Sequence, residues 1–97
     1  MSGGPVWGAA SEDLNATLLE WRPGEGPSEH VNEERDVLYV VLQGSLTLSV
    51  DGKARELVAG EATIVEKGAR RAVVAGSAGV RYLTAHTRRG GLELKRF

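Results

Sequence analysis

The 97-residue sequence predicts an all-β domain, a closed barrel or a sandwich, on three observations. Apolar residues recur with a period of two rather than 3.6, which is the spacing of a strand with one buried face. The alternating segments are short, and glycines, 13 in all, punctuate them. Turns therefore fall every eight to twelve residues or so, the rhythm of a sandwich or barrel rather than of an open sheet.

Taken in order, residues 1–13 read as a loose N-terminal arm, with the folded body over 14–97. Val6 and Trp7 are the arm's only large apolar groups, able to dock on the body or on a neighbouring copy, or to stay in a disordered tail. The first strand is expected over Ala16 to Trp21, followed by a loop at Arg22 to Pro27, where two prolines and two glycines leave few ladder donors. Within the strand expected over Val37 to Gln43, Val37 to Leu42 is apolar on both faces, so it belongs in the middle of a sheet, covered within by the core and without by a second subunit. The cleanest alternation is Leu46, Leu48 and Val50 against Ser45, Thr47 and Ser49. Asp51-Gly52 then suits a tight hairpin whose central residues need positive φ. Further strands are expected over Ala54 to Val58, Ala62 to Val65, Arg71 to Ala75, Val80 to Thr87 and Leu92 to Arg96.

Composition narrows the functional classes. With no cysteine, disulfides, thiol chemistry and zinc ribbons are excluded, in keeping with a reducing compartment. Neither a membrane-length apolar run nor a secretory leader is present, so the expectation is a cytoplasmic protein with no membrane partner. Residues 1–66 hold 12 acids and 4 bases, whereas residues 67–97 hold 1 acid and 8 bases. That asymmetry predicts charge pairing between early and late strands rather than a nucleic-acid surface, because the bases are scattered and lack aromatic stacking partners.

Residues 24–44 resemble the first signature of the cupin superfamily: a glycine, five residues, H-x-H, three or four residues, a glutamate, six residues, a glycine. Gly24, His30 and Gly44 match, while Asn32 stands at the second histidine and Val37 at the glutamate. Residues 60–75 resemble the second signature, in which Gly60 and Gly68 match, Glu66 replaces the proline, Arg71 the histidine and Ala75 the asparagine. The resemblance spans roughly residues 14–87 and implies a small cupin, the RmlC-like jelly-roll barrel also called a double-stranded β-helix. It also implies homodimers paired through their sheets.

The same resemblance locates the family's metal position and shows it altered. Of the four ligands only His30 survives; Asn32 offers a neutral amide oxygen and Val37 nothing. Arg71 carries a permanent positive charge, which repels a divalent cation and attracts a carboxylate or phosphate. The expectation is therefore a cupin without metal or other cofactor, holding an anionic small molecule through His30, Asn32, Arg71 and Tyr39. Arg71 could instead turn away and pair with Glu33 or Glu34. Two enzymatic alternatives stand beside this reading: a metal centre rearranged onto His30, Asp36 and His86, and a metal-free epimerase-like pair of His30 with Asp36 or a glutamate. Tyr39, Gln43, Tyr82 and Trp21 either line the barrel mouth or fill its core.

Overall fold

The computed structural model describes residues 3–88. Every regular element among them is a strand: β1 (Gly4–Ala10), β2 (Leu14–Trp21), β3 (His30–Val31), β4 (Val37–Val50), β5 (Lys53–Val58), β6 (Ala62–Val65) and β7 (Arg70–Thr87). The strand expected over residues 92–96 lies outside the described residues. No described helix is long and apolar enough to cross a membrane.

Two long antiparallel strands, β4 and β7, carry the architecture. Each was expected as two separate strands, yet each runs on through its glycines and bends. Their ladder is interrupted by register shifts between Val41 and Gln43 and between Gly44 and Leu46. At this bend the chains come so close that a Cβ on Gly44 would strike the carbonyl of Gly79, and Gly44 and Gly79 both hold φ near +80° (77 and 78). Only glycine meets both conditions without strain. The bend divides the strand set into two halves. In the first, β1, β2, the C-terminal part of β7, the N-terminal part of β4 and β6 lie side by side. In the second the neighbours are β3, the N-terminal part of β7, the C-terminal part of β4 and β5.

Period-two alternation decides which side chains meet between the halves. The first half contributes Val37, Tyr39, Val41, Val65, Val80 and Tyr82 to the core, and the second Leu46, Leu48, Leu57, Val73 and Ala75. Leu46, Leu48 and Val50 do alternate with exposed or half-exposed Ser45, Thr47 and Ser49 as the pattern predicts. Asp51 and Gly52 turn β4 into β5 with φ of 51° and 85°, the positive pair anticipated for a tight hairpin.

The N-terminal arm requires correction. Residues 4–10 form an edge strand paired antiparallel with β2, so the segment is part of the sheet rather than a loose tail. Its side chains are mostly exposed, and the ladder rather than a buried face holds it, which is why alternation gave no sign of it. The charge asymmetry resolves partly as cross-strand pairing: Arg81 on β7 bonds Glu20 on β2, and Arg70 lies 3.8 Å from Glu29.

Candidate functional site

Among the altered signature positions, Arg71 lies beside His30, and the loops of Asn32 and Glu66 adjoin each other, whereas Ala75 sits opposite Leu46 near the glycine bend. β3 sets His30 directly opposite Arg71, and β4 sets Val50 opposite Arg71 on its other side. Residues directly opposite in an antiparallel ladder share a face, so Arg71 is flanked by His30, Val50 and, two residues along its own strand, Val73. Two adjacent loops close this end. The amide N–H of Gly68 donates to the carbonyl of Asn32 at 2.8 Å, and that of Lys67 to Asp36 Oδ1 at 2.9 Å.

Arg71 is the outlier of the molecule. It is the one charged residue among the buried described residues, with 1% of its surface exposed, on the inner face that also carries Val73 and Ala75. Neither Nε nor Nη2 has a hydrogen-bond partner. The ion pairs of the described residues involve Arg35, Arg70 and Arg81 instead, and Glu34 bonds Arg35, so Arg71 does not turn outward to Glu33 or Glu34. A buried ion costs several kcal/mol even after relaxation. A lysine could shed that penalty by deprotonating, but a guanidinium keeps its charge.

The other sequence-predicted residues divide. His30 is solvent-exposed, and its Nδ1 lies 3.0 Å from the carbonyl oxygen of Ser28. Asn32 does not present its oxygen to the barrel: Oδ1 accepts from the backbone N–H of Glu34 at 3.0 Å and of Arg35 at 3.1 Å, an Asx turn that shapes the mouth loop. Tyr39 is buried and stacked on Tyr82 with ring centroids 6.0 Å apart and planes 22° apart, forming an aromatic wall of the interior. Burial pushes the Tyr82 hydroxyl up to about 12, with the neighbouring Trp21 opposing the rise and Tyr39 adding to it. Trp21 Nε1 is buried without a hydrogen-bond partner. Gln43 is exposed, in an open groove of about 620 Å³ at the bend, beside Glu20 and Arg81.

Neither enzymatic alternative is assembled. Asp36 is occupied as a backbone acceptor for Lys67, while His86 lies in the other half of the sheet, its Nε2 3.5 Å from Asn15 Nδ2 and its Nδ1 2.8 Å from the Thr87 carbonyl. No three His, Asp or Glu side chains among the described residues are placed to hold a metal ion. The family's own metal position fails the same test of donor chemistry, because Val37 is buried and apolar, Asn32 Oδ1 is engaged and Arg71 brings a positive charge. The epimerase-like pair is not formed among the described residues either: His30 Nδ1 lies against the Ser28 carbonyl, and the ion pairs there do not include His30.

Sequence reasoning did not single out Glu25 or Arg35. Each has a buried side-chain atom without a partner, Glu25 Oε1 and Arg35 Nε, and neither position is marked by the signatures. Glu25 is tied to β7 through its carbonyl, which accepts from the Ala75 N–H at 2.7 Å.

Comparison with known proteins agrees with this architecture. The family model of the cupin domain matches residues 17–86. Among solved structures, TT1209 from Thermus thermophilus is 27% identical and superposes with a TM-score of 0.78, covering 92% of this chain and 84% of that one. KdgF from a Halomonas species is 23% identical with a TM-score of 0.77, over 84% of this chain and 74% of its own, a likeness of fold. A cupin superfamily protein from Desulfitobacterium hafniense is 25% identical with a TM-score of 0.73, over 84% and 72%. No curated protein matches the chain in sequence. With the signature glycines, the bent β4–β7 pair and a family match over most of its length, the chain belongs to the cupin-domain family.

Proposed function

We propose that this cupin domain binds a small organic anion inside the barrel, with Arg71 as its charged contact and no metal centre, and that it serves as a binding protein of the cytoplasm. The observation that carries this reading is the Arg71 side chain, 1% exposed with Nε and Nη2 unpartnered. An anion offsets the desolvation of the guanidinium and supplies acceptors for both N–H groups, an arrangement stronger than neutral hydrogen bonding. His30, opposite Arg71 in the ladder, is the polar side chain beside it on that face. The lack of cysteine supports the compartment.

The test is thermal denaturation of the protein and of Arg71→Leu across a panel of carboxylates and phosphates. A ligand at about 100 times its Kd stabilises by roughly 2.7 kcal/mol, a rise of about 10 °C or more for a domain of this size. The wild type gains and Arg71→Leu does not; equal gains in both proteins remove Arg71 from the site.

We further propose that the domain pairs with a second copy through the outer face of its first half. Register places Trp7, Leu18, Leu83, Val40 and Ala62 in one row across five strands, and Ala9, Ala16, Ala85, Leu38 and Ile64 in the next. Trp7 is 53% exposed and Ile64 62%. An outward face of this kind is normally polar, and two copies related by a two-fold axis cover it isologously. Sedimentation of Ile64→Arg against the parent checks it: the parent sediments as a dimer and the variant as a monomer.

A further inference from the structure

Resting on the reading of Arg71 as an anion contact, we infer that the ligand is a monocarboxylate with an apolar body, gripped side-on by the Nε and Nη2 edge of Arg71. The two unpartnered atoms are the informative detail. In the planar guanidinium, Nε–H and Nη2–H share one edge and point in parallel, matching the two oxygens of a single carboxylate.

The surroundings of that edge select for one charge and for carbon behind it. Val50 is opposite Arg71, Val73 follows on the same face, and Ala69 and Val50 pack against the core, so apart from His30 the flanks are apolar. Of the other cations at this end, Arg70 is paired with Glu29 and Arg35 with Glu34, while Lys53 and Lys67 are solvent-exposed rather than part of the inner face. One guanidinium therefore balances one anion. A phosphate dianion has further oxygens and a further charge, for which this lining offers no donor besides His30, an unfavourable burial. The inward residues of the same half, Val73 and Ala75 on β7 and Leu46 and Leu48 on β4, offer the ligand's body an apolar environment.

Isothermal titration with hexanoate, acetate, hexanamide and inorganic phosphate tests this, on the full chain and on Arg71→Lys and Arg71→Leu, each first shown to fold by circular dichroism. Lysine keeps the charge and removes the fork, so it separates bidentate recognition from simple attraction. Hexanoate binds the parent one to one; hexanamide and Arg71→Lys are each weaker by about 10- to 100-fold, the worth of a charge-assisted hydrogen bond. Acetate, lacking the apolar body, is weaker than hexanoate by about tenfold or more. Phosphate binding tighter than hexanoate, acetate binding as well as hexanoate, or full affinity in Arg71→Lys overturns the carboxylate assignment while leaving the anion site standing. Binding of no anion by the parent, or equal binding by Arg71→Leu, overturns the anion site itself.

Discussion

The two halves of strand β7 obey the same alternation but treat charge in opposite ways. In the C-terminal half, Arg81 is outward, about half exposed and bonded to Glu20, while the inward positions carry Val80 and Tyr82. In the N-terminal half, Arg70 is outward and faces Glu29, but the inward position next to it is another arginine, wholly buried and unpartnered. The first arrangement is what folding alone selects. The second departs from it at a single side chain, Arg71, opposite His30. A local rule broken without compensation from the protein's own groups is what a ligand-binding position looks like.

The comparison can be broken by substitution, and the largest effect belongs to a control. Leu48→Ala, which empties a fully buried site in the same half as Arg71, loses about 2–5 kcal/mol in denaturant unfolding. If Arg71 were an ordinary core residue, Arg71→Leu would lose stability as well. The opposite is expected: removal of an uncompensated buried charge raises the stability of the free protein by about 1–4 kcal/mol.

Next in size is the alkaline limb of the first half. Tyr82 titrates near 12 when folded and near 10 when unfolded, so the unfolded chain gives up its proton first as pH rises. Stability from this group is complete below pH 10 and declines between 10 and 12, by up to about 2–3 kcal/mol. Urea unfolding of the parent and of Tyr82→Phe over that range reveals it, since the phenylalanine variant lacks this part of the decline. Smaller again is Asn32→Ala, which deletes the acceptor of two backbone N–H groups and lowers stability by about 1 kcal/mol. Smallest is Arg81→Ala, whose partly exposed ion pair is worth less than about 1 kcal/mol by the same measurement.

The sequence made the fold legible because its signals are backbone signals. Gly24, Gly44, Gly60 and Gly68 all hold positive φ, so the spacing of the signatures marks turns that survive when the ligands between them change. Alternation identified β2, β5 and β6 and both halves of β4 and β7, but could not show that each pair was one bent strand, since a glycine between two strands reads as a turn. β1 and β3 were not legible as strands: β1 shows mostly exposed side chains and β3 is two residues long, so neither has a buried stripe. Of the site, Arg71 could be named from its place in the signature, but not its inward course, because a lone arginine reads equally well as a surface partner of Glu33 or Glu34. Asn32 was assigned to the ligand set by its position, whereas its oxygen closes a turn, a role that depends on the path of residues 32–35.

The most direct test of the central claim observes the Arg71 Nε–H itself. In ¹⁵N-resolved NMR spectra of the arginine side chains, assigned by loss of one signal in Arg71→Lys, the protein is titrated with hexanoate. The account predicts that the Arg71 Nε–H proton moves downfield in a saturable manner as it bonds the carboxylate, while the Arg81 signal, already engaged by Glu20, stays in place. An Arg71 signal that does not respond at saturating hexanoate, or one that responds no more than those of the exposed arginines, would contradict it.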